Sequence, residues 1–161
     1  MTKADRLSAA LDEFLTASVD IEAAAIVSID GLPIASALPV DVAEDRLAAM
    51  SAALLSLGEK AAEGLGRGEL AQVFVEGENG YVVLMAAGPQ AVLVSVTSRQ
   101  AKAGLVLFEM RRACERIKKV LADTDRPAET TQPSAEAPSA QAPIGQTPDM
   151  EALVPPVPSW Q

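Results

Sequence analysis

From Leu47 to Gly58 the chain reads Leu-Ala-Ala-Met-Ser-Ala-Ala-Leu-Leu-Ser-Leu-Gly, without one charged residue. This run belongs to a segment, Arg46–Leu65, that the sequence predicts as a helix. Asp41 and Glu44 stand at capping-box spacing ahead of it, and Gly64, Gly66 and Gly68 close it. Leu47, Met50, Leu54, Leu57 and Ala61 recur at the 3-4-3-4 spacing of a packing seam. Beside them runs a mostly small stripe, Ala48, Ser51, Leu55, Gly58 and Ala62, which lets another backbone come close. Together the stripes wrap more than the ~100° of circumference that one side of a sheet covers. Leaving two large side chains in water forgoes about 3–6 kcal/mol of burial, against a domain stability of roughly 5–15 kcal/mol. The sequence therefore predicts a partner over the second stripe. A second copy, helix on helix about a two-fold axis, is the simplest one. The segment after the helix, Leu70–Glu76, would then pair edge to edge with its symmetry mate. The competing reading, an alanine-rich helix that tolerates exposure because alanine buries little, carries less weight.

The flanking segments supply a sheet and two more helices. Lys3–Ala17 sets Leu7, Ala10, Leu11, Phe14 and Leu15 at helical spacing. Two strand-like runs follow, Ala23–Ile29 and Leu32–Ala37, joined by Asp30-Gly31, a strong hairpin signal of the type I′ kind. Pro33 cannot donate to a ladder, which places the second strand at an edge or its first bond outward. After the middle helix come Leu70–Glu76, Tyr81–Ala87 and Ala91–Thr97. Gly77-Glu-Asn-Gly80, with Asn79-Gly80 as its tight corner, and Gly88-Pro-Gln90 are the turns between them. Gly104–Leu121 closes the series, with Val106, Met110, Ala113, Ile117 and Val120 at helical spacing. The runs Tyr81–Ala87 and Ala91–Val96 lack polar alternation, so both of their faces should be covered. The predicted fold is α/β (α+β), a three-layer α/β/α sandwich in the order α-β-β-α-β-β-β-α around a five-stranded antiparallel sheet.

Residues 1–122 form this predicted domain, and residues 123–161 differ in composition. Eight of the 11 prolines lie between Pro127 and Pro158, and Arg126 alone faces six acidic residues after Ala122. So little large apolar surface cannot offset the entropy of ordering, and the sequence predicts a disordered, acidic, partly polyproline-like tail. Only Leu153-Val-Pro-Pro-Val-Pro-Ser-Trp160 regains apolar character, which reads either as an unselected end with one stray Trp or as a short docking motif carried by Leu153, Val154, Pro155, Pro156 and Trp160.

Composition removes most catalytic classes. The 161 residues include no His and one Cys, with 13 Lys and Arg against 22 Asp and Glu, a formal net charge of −9. Without His there is no Ser-His-Asp or Cys-His unit, no His-ligated zinc and no imidazole switch. A single Cys forms no internal disulfide and fits a reducing compartment. An acidic chain with 3% aromatics lacks the footprint of a nucleic-acid binder. No targeting signal and no membrane-length apolar run are present, so the expected location is the cytoplasm. Gly64-Leu-Gly-Arg-Gly68 sits between a helix and a strand, the reverse of a dinucleotide fingerprint, and reads as a cap and turn. Arg111, Arg112, Arg116, Lys118 and Lys119 read as a solvated, cationic C-terminal helix face. Cys114 reads as a packed small hydrophobe. No catalytic residue, cofactor or metal is expected, and the chain is not read as an enzyme.

Four segments, in order, resemble the roadblock domain family: Ile29-Asp-Gly-Leu-Pro-Ile34, Leu47–Lys60, Glu76-Gly-Glu-Asn-Gly-Tyr81 and Gly104–Cys114. The likeness covers about Lys3–Leu121, and its prokaryotic GTPase-regulator branch fits best. It implies a homodimer with paired middle helices, a sheet continued across two chains, and a small Ras-like GTPase seated on the helix-bearing surface. The expected dimer and GTPase interface comprises Leu47, Met50, Ser51, Leu54, Leu55, Leu57, Gly58, Ala61, Val73 and Val75. Arg46, Lys60 and Arg67 are positional candidates for surface contacts, because the family fixes no catalytic residue. The expected function is regulation of such a GTPase, including activation, by binding its switch regions and positioning its own groups. The alternative is a scaffold that recruits a partner through the tail.

Overall fold

The computed structural model describes residues 1–123; the expectations for residues 124–161, the Leu153–Trp160 motif among them, lie outside the described residues. Helix α1 (Lys3–Ala17) opens with a capping box that the sequence reading did not use. The Asp5 amide donates to Thr2 Oγ1 at 3.2 Å, and the Thr2 amide donates to Asp5 Oδ2 at 2.9 Å. Hydrogen bonds from the Thr2 hydroxyl and amide hold the Asp5 carboxyl below its ordinary value.

Strands β1 (Ile21–Ser28) and β2 (Pro33–Ala37) form the first hairpin. Its turn is wider than a two-residue type I′ corner. The Gly31 amide donates to the Ser28 carbonyl at 3.0 Å, and the Ser28 amide donates to the Leu32 carbonyl at 2.8 Å. Gly31, at φ 85°, carries the left-handed residue that ends a three-residue loop. Helix α2 (Glu44–Gly64) follows, then β3 (Gln72–Gly77), β4 (Gly80–Ala86), β5 (Ala91–Ser98) and α3 (Ala103–Ala122). In the β3–β4 hairpin Gly77 pairs with Gly80, so Glu78-Asn79 forms the corner and Gly80 is already strand. A Cβ on Gly80 would stand 1.9 Å from the Thr97 carbonyl oxygen, a contact only glycine avoids.

All strand pairs are antiparallel, in the order β2-β1-β5-β4-β3. Pro33 accordingly sits in an edge strand. The central pair joins β1 to β5, and α2 carries the chain from one sheet edge to the other. Alternation along the strands divides the core in two. Ala24, Ile26, Val83, Met85 and Leu93 face α1 and α3, meeting Leu7, Leu11, Phe14, Met110 and Ile117. Ala25, Val27, Leu84, Val92 and Val94 face α2, meeting Leu47, Ala48 and Leu55. Helices thus cover both faces, and the fold is the predicted three-layer α+β sandwich. Buried polar side chains are satisfied among the described residues. Ser95 Oγ donates to Met110 Sδ at 3.2 Å, and Thr97 Oγ1 bonds the Tyr81 backbone. No described helix is long and apolar enough to cross a membrane.

Candidate functional site

The outer face of α2 and the adjoining edge of β3 form the candidate surface. The helix begins at Glu44, with Ala43 as an N-cap that lacks a side-chain hydrogen bond. The box expected from Asp41 and Glu44 is absent, because Glu44 instead accepts a hydrogen bond from Ser36 Oγ on β2. The glycines end the helix as expected. Gly66 adopts φ 67°, and the Arg67 amide donates back to the Ala62 carbonyl at 2.7 Å.

The rotation of α2 reverses the roles expected of its stripes. The small stripe, not the seam, lies on the sheet: Ala48, Ser51 and Leu55 are buried, and Ser51 Oγ bonds the Leu47 carbonyl. Gly58 shows why. A Cβ there would come within 2.9 Å of Val73 Cγ2 and 3.1 Å of Leu70 Cδ2, so small residues bring the helix onto the sheet. Leu47 is also buried, and Leu54 packs against the same core cluster. Of the expected interface set, Leu47, Ser51 and Leu55 are therefore used inside the protomer.

The exposed face belongs to the seam stripe and its small neighbours. Met50 is 48% exposed and Leu57 66%; Ala49, Ala53 and Ala61 are exposed beside them. Arg46 and Lys60 lie on the same face at the two ends of this stripe, about 21 Å apart along the axis. They and Arg67, beyond the helix, are exposed and form no ion pair with a described residue. Ala49 and Ala53 were missed by sequence reasoning, which took large side chains as the interface marker; the signal was their position opposite Gly58.

Strand β3 is a free edge, hydrogen-bonded only to β4. Val73 is half-buried against the α2-side core, and Val75, two residues on, shares its face at 39% exposure. Phe74 points to the other face and meets the Tyr81 ring at 5.0 Å. An unpaired strand edge thus adjoins a helix that carries no charge from Leu47 to Gly58.

The remaining candidates have local explanations. Arg112 pairs with Glu109 at 3.4 Å, Arg116 with Glu13, and Lys118 with Glu115 at 2.9 Å. Burial pushes the Cys114 thiol up to about 12, Lys118 lowering and Glu115 raising it to smaller degrees. No described group of three His, Cys, Asp or Glu side chains could hold a metal.

Comparison with known proteins agrees with this architecture. An uncharacterised protein of Methanocaldococcus jannaschii, MJ1340, is 38% identical over 98 residues, 61% of this chain and 85% of the relative. The structure of Myxococcus xanthus MglB superposes with a TM-score of 0.72 at 19% identity, covering 80% of this chain and 97% of that one. A Roadblock/LC7 domain from Streptomyces avermitilis is 32% identical, with a TM-score of 0.56, covering 69% of this chain and 97% of that one. The Roadblock/LC7 domain family model matches residues 7–97, from the first core leucine of α1 to the end of β5, and the chain belongs to that family.

Proposed function

We propose that the protein is a homodimeric regulator of a small Ras-like GTPase, without an active site of its own. The observation that carries this reading is the charge-free Leu47–Gly58 stretch of α2, with Met50 and Leu57 exposed, lying beside the unpaired edge of β3. In the proposed dimer, two α2 helices pack through Met50, Leu54, Leu57 and Ala61, with Ala49 and Ala53 allowing close approach. Two β3 edges pair, so that Val73 and Val75 continue one sheet through both copies. Covering Met50 and Leu57 from their present exposure recovers roughly 2–3 kcal/mol per copy.

The broad surface carrying the paired helices receives the GTPase. Arg46 and Lys60 flank it in each copy, and Arg67 stands in the loop after the helix. The regulator binds the switch segments and fixes the GTPase's own catalytic groups and water, which is how a partner without a nucleophile or base changes phosphoryl transfer. The structural resemblance to MglB, a gliding protein, and membership of the Roadblock/LC7 family support the reading.

Sedimentation tests the dimer, with a two-chain mass expected at micromolar concentration. Single-turnover GTP hydrolysis by a Ras-like GTPase, with and without the dimer, tests activation. A monomer sinks the assembly. A dimer that neither binds the GTPase nor changes its turnover sinks the regulatory role.

A further inference from the structure

On the other side of the sheet from α2, the first half of α3 carries a second apolar surface. Leu105 is 46% exposed and Phe108 52%, one turn apart along the helix. The Arg112 guanidinium stands 5.9 Å from the centre of the Phe108 ring and pairs with Glu109. Lys102 lies one turn before Leu105, and Arg111 one turn after Phe108. Both are exposed, and neither forms an ion pair with a described residue. The carboxylates of the helix are all engaged, Glu109 with Arg112 and Glu115 with Lys118, and Asp123 at its C-cap pairs with Arg6. The first turn of α3 holds no acid, and Lys102, its N-cap, makes no side-chain hydrogen bond. Helices α1 and α2, by contrast, open on Asp5 and on Glu44 and Asp45.

Two apolar side chains thus stand between two unpaired cations, which are about 14 Å apart along the axis. This is a local reversal in a chain whose net charge is −9. We infer that the ridge docks an acidic amphipathic helix of another protein. Apolar side chains of that helix cover Leu105 and Phe108, and carboxylates flanking them meet Lys102 and Arg111. The unpaired cations select this occupant. A second copy laid ridge to ridge would set Lys102 and Arg111 against like charge. An anionic membrane would attract these two side chains and repel the acidic remainder of the molecule. The ridge lies on the sheet face away from α2, so the inference does not rest on the GTPase reading. A protein engaged on both faces connects two partners.

The probe is a labelled helical peptide of about five turns, with leucine on one face and glutamate on the other, titrated into the full chain by fluorescence anisotropy. We expect saturable binding that moves the amide resonances of residues 102–112. Phe108→Ser should weaken it roughly tenfold or more. Lys102→Glu with Arg111→Glu should weaken it about fivefold or more at low salt. That charge-reversed protein should instead take the isomeric peptide with lysine in place of glutamate, which the parent protein refuses. Leu57→Glu, on α2, should leave peptide affinity unchanged. Unchanged far-UV circular dichroism verifies folding of each variant. Absence of binding, equal binding of both peptides by the parent protein, or resonances that move on α2 instead overturns the inference. So does tighter binding to phosphatidylserine vesicles than to the peptide, or self-association of the chain that Phe108→Ser abolishes.

Discussion

The two faces of the sheet are covered in different ways. On one, α1 and α3 pack side by side, and Leu7, Leu11, Met110 and Ile117 are essentially withdrawn from water. On the other, α2 lies alone, and its apolar circumference exceeds the width of sheet beneath it. Two helices shelter one another's flanks; a single helix over the same area cannot. The first layer leaves large apolar side chains exposed only near the start of α3, at Leu105 and Phe108, whereas the second leaves Met50 and Leu57 exposed along the middle of its one helix.

Substitutions should separate the two faces. The largest effect is expected beneath α1 and α3, where Ile117→Ala should destabilise the fold by about 2–5 kcal/mol in chemical denaturation. On the outer side of α2, Leu57→Glu should leave the isolated protomer folded and weaken self-association. Over two copies the loss is about 2–4 kcal/mol, roughly 30- to 1,000-fold in Kd by sedimentation. A protomer that unfolds with Leu57→Glu, or a dimer indifferent to it, would erase the distinction between the faces. Between helix and sheet, Gly58→Val should cost about 1–3 kcal/mol, because Val73 and Leu70 already occupy the space.

Smaller effects sharpen the picture of the α1/α3 side. Thr2→Ala removes the α1 cap and should cost about 1 kcal/mol. The linked proton effect has a definite sign. The Asp5 carboxyl is lowered in the folded state, so its contribution is present above the ordinary value of 3.8 and disappears as pH falls through the folded value. The deficit of Thr2→Ala should therefore shrink in strongly acidic buffer. Cys114, with its thiol raised to about 12, should resist a thiol reagent at neutral pH in the native protein and react once it is unfolded.

The order of elements and the three layers were legible because strand alphabet and helical spacing act locally, as in Ala91–Val96 and the Val106–Val120 series. The phase of α2 was not. Leucine size suggested that the seam faces the sheet, whereas the close fit of Gly58 to Val73 decides the rotation, and that contact joins residues far apart on the path of the chain. Capping failed for a similar reason: Glu44 has a partner on β2, Ser36, that no local pattern reveals. Turn widths also escaped, since Asp30-Gly31 and Asn79-Gly80 name a corner without fixing which residues the ladder takes up. Of the surface itself, Met50 and Leu57 could be read directly, while Ala49 and Ala53 became visible only once the helix was oriented.

The pairing at the middle of the sheet has a consequence for biosynthesis. Residues 21–28 meet 91–98, so the first hairpin leaves the ribosome long before its central neighbour exists. Until then Ala24–Val27 lack a ladder on one side, and the first helix lacks the one that shelters it. Late closure of so distant a pairing favours slow, concerted completion over stepwise growth, and leaves an apolar nascent hairpin for chaperones to guard.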